Sequence, residues 1–263
     1  MKMKRIIAVI SVLVIALCMI GSCSKAPADM TDAEYVKDKG TLVVGITEFK
    51  PMDYKENNEW VGFDADMAKA FAENLGVNVE FKIIDWDYKI AELDDKGIDC
   101  VWNGMTLTDE VKAGMETSNA YCNNAQVVVV KKEVAEKYQT VDSIKELGFV
   151  VEAGSAGKKV LDELEIKCIE AATQADTLLE VSTGTSEASV IDLLMAGATI
   201  GEGTDYDDLT YTVSLNSEEY GVGFRKGSDL AQKLNDFFKA AYADGSMIET
   251  AKKYGVQESI IAQ

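Results

Sequence analysis

The 263-residue chain has no histidine, two prolines and two arginines, Arg5 and Arg225. Without His there is no Ser-His-Asp triad, no Cys-His dyad and no histidine-ligated zinc or haem site. With 26 basic residues against 45 acidic ones the formal charge is −19, and the sequence pI is about 4.4. Phosphate binding needs a Lys/Arg surplus, so a nucleic-acid partner is not expected. Hydrophobic residues make up 47% and charged ones 27%, a composition of globular rather than disordered chains. The length allows one large domain or two of ordinary size.

Residues 1 to 5 carry Lys2, Lys4 and Arg5, and Ile6 to Ile20 is apolar except for Ser11. That run is short for a membrane span and reads as a signal-peptide core. It ends at Ile20-Gly21-Ser22-Cys23, which resembles the bacterial lipobox, where small residues precede a cysteine that is lipidated and becomes the new N-terminus. An ordinary signal peptide or an uncleaved anchor is the plainer alternative. With Cys23 lipidated, residues 1–22 are a leader, the exported chain has 241 residues (263 less 22) and Ser24 to Thr31 is a tether. Loss of three positive charges and no acid then takes the formal charge from −19 to −22. A lipid rather than surface charge would hold such an acidic protein at a membrane.

Cysteines stand at 18, 23, 100, 122 and 168, with no C-x-x-C pair, so no metal site is expected. Buried free thiols are the default for the last three, and a Cys100–Cys122 disulfide stays open in an exported protein.

Thr41 to Ile46 is an apolar strand, and Phe63, Met67, Ala70, Phe71 and Leu75 repeat at helical spacing up to Gly76. Asn78 to Ile84 is a second strand. Asp85 is placed to cap a helix that stops at Gly97, and Ile98 to Trp102 is a third strand. This β-α-β-α-β order predicts parallel pairing with right-handed crossovers. After the apolar strand Ala125 to Val130 the pattern restarts. Asp142 can cap a short helix to Leu147, Phe149 to Glu152 is a strand, and Gly154 to Gly157 opens a helix. Lys167 to Glu170 and Ala188 to Ile191 are further strands around a helix at Gln174 to Val181. Tyr220 to Arg225 is a strand, followed by an amphipathic helix marked by Leu230, Leu234, Phe237, Phe238 and Ala241 and a last helix near Met247 to Tyr254. Two α/β units are expected, the second inside the first, with chain crossings near 128–132 and 215–220. Ligands of open α/β sheets bind at the carboxyl ends of strands, which here would face each other across a cleft.

Five blocks carry a resemblance. Gly40-Thr-Leu-Val-Val-Gly45, Gly62-Phe-Asp-Ala-Asp66, Ile98-Asp-Cys-Val-Trp-Asn-Gly-Met-Thr-Leu-Thr108, Tyr220-Gly-Val-Gly-Phe-Arg-Lys226 and Ala243-Asp-Gly-Ser246 resemble, in order, the polar amino-acid solute-binding proteins of ABC importers, family 3. The resemblance spans about Gly40 to Gly255. It implies an α/β, two-lobed periplasmic-binding-protein-like (Venus-flytrap) fold, each lobe a mostly parallel sheet flanked by helices. The expected organisation is a leader at 1–22, a tether and first helix at 23–39, a large lobe from 40–128 plus 220–263, and a small lobe at 129–219.

The resemblance also implies ligand contacts. The loop after the first strand offers Glu48 to an amine and Phe49 as a stacking wall, though it is one residue shorter than the family's usual loop. Trp86 matches the second wall. Asn103, Gly104, Met105 and Thr106 match the third-strand loop, with the Gly104 carbonyl and Thr106 hydroxyl toward the ligand. Ser155 and Ala156 match the helix start whose amides suit a carboxylate. Asp192, in Ala188-Ser-Val-Ile-Asp192, matches the acid that holds the amino group. One departure stands out. The family's Thr-x-x-Arg, whose arginine grips the ligand α-carboxylate through paired hydrogen bonds, here reads Thr108-Asp109-Glu110-Val111. Val111 cannot replace that clamp, and Lys112 offers only a point charge.

Plainer readings exist for each residue: a helix cap for Asp192 and Ser155, a solvated acid for Glu48, core packing for Phe49, Trp86 and Val111. Ser155-Ala-Gly-Lys158 fits the S-x-x-K of serine β-lactam enzymes but has no S-D-N or K-T-G partner. Gly157-Lys158 lacks the P-loop's earlier glycine, where Glu152 stands. Asp94-Asp95 and Asp207-Asp208 read as solvated faces. The expected role is a lipid-anchored, exported receptor on the outer face of a bacterial membrane. It is read as a monomer without cofactor or metal that captures an amino acid or amine-bearing metabolite for an ABC permease. A signalling receptor on the same fold would be expected to continue beyond Gln263. A dehydratase-like enzyme would need a general acid/base, for which only carboxylates and Lys are on offer.

Overall fold

Thr41–Ile46 is apolar at almost every position and forms β1, whose Leu42, Val44 and Ile46 are fully buried. In the computed structural model, which describes residues 30–263, Thr31–Gln263 forms one compact unit. The leader, Cys23 and the tether as far as residue 29 lie outside the described residues. Two short strands follow β1 as a hairpin, β2 (Tyr54–Glu56) and β3 (Glu59–Val61). The helix Phe63–Leu75 buries Phe63, Met67, Phe71 and Leu75 on one face and ends at Gly76 in the left-handed region, φ 75°. Each such buried side chain contributes about 1.5–3 kcal/mol of transfer free energy.

β4 (Asn78–Ile83) and β5 (Cys100–Thr106) pair in parallel with β1 on either side. β6 (Glu116–Thr117) and β7 (Cys122–Asn124) are short. Next come β8 (Gln126–Lys131), β9 (Phe149–Glu152), β10 (Cys168–Ala171), β11 (Ala188–Asp192), β12 (Leu209–Ser214) and β13 (Glu218–Phe224). One sheet has the order β4-β1-β5-β13-β6, with β7 also on β13, and the other runs β10-β9-β11-β8-β12. Each sheet is parallel at its βαβ centre. It turns antiparallel at the strands beside the chain crossings, where β13 meets β5 and β8 meets β11. The two lobes are therefore mixed sheets, because a chain that crosses and returns must enter the second sheet from the opposite end.

Sheet membership changes at Ala125, between β7 and β8, and again between Ser214 and Glu218. The sequence reading put the first crossing at 128–132, inside what is one continuous strand of the second sheet. Asp142 does not cap its helix. Thr140 does, accepting from the Ser143 amide at 3.3 Å, and the helix covers Val141–Ile144. The thiols of Cys100, Cys122 and Cys168 are free, and Cys168 is only half-buried.

Arg225, one of the two arginines, is buried in the first lobe. Its guanidinium meets Asp32 at 3.0 Å and Asp99 at 3.3 Å and donates to the Ile98 carbonyl at 2.7 Å. It ties the helix Asp32–Lys39 to the sheet and takes no part in the cleft.

Candidate functional site

The carboxyl ends of β1, β5, β9 and β11 converge on one cleft. This is where open α/β sheets place ligands. Ten of the eleven residues expected from the sequence line it. Phe49, Trp86, Asn103, Gly104, Met105, Thr106 and Val111 come from the first lobe, and Ser155, Ala156 and Asp192 from the second. The structure does not bring Glu48 to them. Phe49 and Asp53 bridge through paired backbone hydrogen bonds of 2.6 and 2.8 Å. That turn buries Phe49 and leaves Glu48 exposed.

The first-lobe wall is braced from behind. Asn103 spends its whole amide on the scaffold. Its Oδ1 accepts from the Thr47 amide at 2.9 Å and the Thr47 hydroxyl at 2.8 Å, while Nδ2 donates to the Thr47 carbonyl at 3.0 Å and to Asp53 at 2.8 Å. The Gly104 amide donates to buried Asp64 at 2.6 Å, which also accepts from the Tyr121 hydroxyl at 2.7 Å. Gly104 has φ +54°, and a Cβ there would lie 2.3 Å from Cε1 of Phe49. Only glycine lets that ring lie against the loop. The ring also meets Tyr220 edge-on, centroids 6.4 Å apart. The Thr106 hydroxyl donates to Glu218 at 2.8 Å rather than standing free. Burial raises Asp53 well above the usual carboxylate range, with the Asp64 charge adding to it, and burial pushes Asp64 up to about 7.

Val111 is buried in the cleft wall. Its neighbour Lys112 is exposed and borders a separate surface depression with Asn123 and Glu219. The cations that do line the cleft are Lys89 and Lys159. Lys89 is buried and donates to the Trp86 carbonyl at 3.1 Å and, across the cleft, to the Gly154 carbonyl at 3.0 Å. Its ammonium stands 5.0 Å from the Trp86 ring centroid, a cation–π contact. Burial lowers its pKa, against the opposing charges of Glu110, Glu152 and Asp87. Gly154, at φ +64°, lets the lobes touch, since a Cβ there would sit 2.6 Å from Oδ1 of Asp87.

The second-lobe wall carries the unspent charge. Ser155 caps the helix Ala156–Glu163 through an acceptor bond from the Lys158 amide at 3.1 Å. The first amides of that helix, Ala156 among them, lie at its open end beside the cleft. Asp192 occupies the N-cap position of the helix Leu193–Thr199 but makes no side-chain cap bond. Its Oδ1 instead accepts from Asn124 at 2.5 Å, Gln126 at 3.1 Å and the Tyr220 hydroxyl at 2.6 Å. Gln174 clasps the other side, donating to Oδ2 at 2.5 Å and accepting from the Asp192 amide at 3.0 Å. Burial, then the Glu218 charge, push Asp192 up to about 7 against these donors.

Sequence reasoning missed several lining residues, chiefly Glu152, Gln174 and Lys89. Glu152 is 3% exposed, and its Oε1 has no hydrogen-bond partner among the described residues. Burial, followed by the Asp192 charge, pushes it up to about 8, while Gln174 and the Lys89 charge pull the other way. Its place as the last residue of a predicted strand was the available signal. Among the described residues no His/Cys/Asp/Glu group is placed to hold a metal.

Comparison with known proteins bears on this geometry. The ArtP arginine-binding extracellular protein of Bacillus subtilis is 29% identical over 251 residues, covering 92% of this chain and 96% of its own. The TcyJ L-cystine-binding protein of Escherichia coli K12 is 28% identical over 253 residues, 94% of each chain. Among solved structures, the P235GK mutant of ArgBP from T. maritima superposes with a TM-score of 0.80 at 30% identity, over 85% of this chain and 99% of its own. The family model for bacterial extracellular solute-binding proteins, family 3, matches residues 42–257. The chain therefore belongs to family 3 of the bacterial extracellular solute-binding proteins.

Proposed function

We propose that this protein is the extracytoplasmic receptor of an ABC importer and captures an amino acid or a related amine-bearing solute between its lobes. The observation that carries the reading is Asp192. It sits where a helix cap is expected, makes no cap bond, and lines the cleft with Oδ2 held by Gln174 alone. A buried carboxylate supplied with side-chain donors on one oxygen and open to a cleft on the other suits an ammonium group. Phe49 and Trp86 flank the ligand body, and the relatives that bind arginine and cystine support the amino-acid class.

Without an arginine at Val111, a ligand carboxylate is left the Ala156 end of its helix and the Lys89 and Lys159 charges. The Thr106 hydroxyl is bonded to Glu218, and Lys112 stands at a separate depression outside the cleft. The work is binding, not bond-making. The ligand favours the closed arrangement, in which Lys89 reaches Gly154, and shifts the hinge at Ala125 and 215–217 toward it. The closed form then docks on the permease. The large lobe comprises 40–125 plus 218–263 and the small lobe 126–217, the first boundary moved from 128 to the crossing at Ala125. Cys23 carries the lipid that anchors a monomer outside the cell.

A thermal-shift screen of amino acids, amines and neutral or anionic solutes tests the reading. An amine-bearing solute is expected to raise the melting temperature, since a ligand bound only by the folded state stabilises it. A rise with anionic or neutral solutes alone would overturn it. Mass spectrometry of the exported protein tests the anchor: a diacylated Cys23 is expected, and a free N-terminus elsewhere defeats it.

A further inference from the structure

We infer that Glu152 is a second ligand-binding carboxylate, and that one cationic group of the solute donates to both Glu152 and Asp192 while displacing protons from the pair. This deepens the proposed function and rests on it. The geometry is that of an incomplete site. Glu152 ends β9 and Asp192 ends β11, neighbouring parallel strands of one sheet, so both carboxyls leave the same edge into the same cleft. Glu152 Oε1 is buried without a partner among the described residues, which is costly for any carboxyl group. Asp192 Oδ1 is saturated by three donors, but Oδ2 has one. Gln174 acts on both acids as a neutral donor and cancels the charge of neither.

One unpartnered acceptor and one singly bonded acceptor on adjacent strand ends match an ammonium or guanidinium, which brings several N–H donors and a full charge. Lys89 does not fill that role. Its donors go to the Trp86 and Gly154 carbonyls, and it forms no ion pair with Glu152. Lys159 is at 4.0 Å from Glu163 on its own helix.

The charged neighbours set the proton balance. Glu218 is the acidic charge that raises Asp192, sharing the Asn124 and Gln126 donors with it; Asp192 raises Glu152 and Lys89 lowers it; Glu110 and Asp87 act on Lys89. Both acids are raised in the ligand-free protein, to about 8 and about 7, so near pH 7.5 the pair holds about one proton. A bound cation lowers both pKa values and expels that proton. Affinity for the cation therefore rises with pH from about 6 to about 9 and flattens above it.

The experiment is titration calorimetry of the full exported chain at pH 7.5 in phosphate and in Tris. The probes are L-arginine, L-lysine, L-histidine, L-cystine and putrescine, with L-glutamate and a sugar as controls. Proton release is read from the difference in heat between buffers. For the amine that binds, about one proton should be released. Glu152→Gln should abolish most of that release and weaken binding at pH 8 about tenfold or more, with little change at pH 5.5. Glu152→Gln also removes the burden of a buried acid, so the ligand-free variant should melt higher than wild type at pH 8, which reports that it folds. Binding of an amine without proton release, or unchanged in Glu152→Gln at pH 8, overturns the inference and leaves the receptor reading standing. Binding of none of the amines overturns both.

Discussion

The two walls of the cleft are built on opposite plans. On the first lobe the polar groups of the third-strand loop are already bonded inward: Asn103 to Thr47 and Asp53, the Gly104 amide to Asp64, Thr106 to Glu218, while Lys89 reaches across to Gly154. What it presents is shape, the Phe49 and Trp86 rings and the Val111 side chain. On the second lobe Glu152 Oε1, Asp192 Oδ2 and the Ala156 helix start keep bonding capacity. One wall fixes a mould and the other reads charge. Substitutions in the first wall should therefore show mainly in stability, and those in the second mainly in affinity.

Asp192→Ala tests the charge wall with the largest expected effect. Removing one partner of a buried charge pair costs about 2–5 kcal/mol, roughly 30-fold to several thousandfold in Kd. Calorimetry with the amine that binds wild type should show that loss. An affinity unchanged by the substitution removes Asp192 from the site.

Asn103→Ala and Gly104→Ala test the mould. The first strands the Thr47 amide and an Asp53 oxygen; the second forces φ +54° and a Cβ contact of 2.3 Å with Phe49. Each should destabilise by about 1–3 kcal/mol in urea unfolding. Wild-type stability in both would mean that the wall is not braced as described.

Val111→Arg sharpens the comparison by adding charge recognition to the shape wall. It should tighten an α-amino acid relative to its amide by about tenfold, ~1.4 kcal/mol. Equal effects on acid and amide would show that the position does not face a carboxylate.

The smallest effect is on the pH dependence of stability. Asp53, Asp64, Glu152 and Asp192 are held above the ordinary carboxylate range, whereas in the unfolded chain such groups titrate near 4. Between about pH 4 and 8 the folded state carries more protons than the unfolded one. The contribution of these four groups is thus greatest in mild acid and falls as pH rises toward 8. Asp66, lowered by Lys253, Tyr254 and Lys69 after burial is opposed, works the other way. The ligand-free melting temperature should be lower at pH 8 than at pH 5.5. A rise over that range would contradict these burials.

Much of the fold was legible because apolar runs and helical periodicity are local. β1, β9 and the helix Phe63–Leu75 fall on the expected residues. The hairpin Tyr54–Val61 was not, because its strands are three residues long and mostly exposed. The first crossing was misplaced because polar Cys122–Asn124 does not read as a strand, so the four valines of β8 looked like the end of the first sheet. In the cleft, positions at strand ends could be found from the chain order alone. Lys89 and Gln174 could not, because their roles exist only when two lobes and two strand ends meet. Lys112 offered only a point charge beside the missing arginine, and it is exposed at a separate depression outside the cleft.

The most direct test of the account is one calorimetric comparison at pH 8: wild type against Asp192→Ala, titrated with the amine-bearing solute that gives the largest thermal shift. The account predicts one-to-one binding to wild type and loss of at least about 30-fold in the variant. Equal affinity in the two proteins, or tight binding only of solutes that carry no amine, would contradict it.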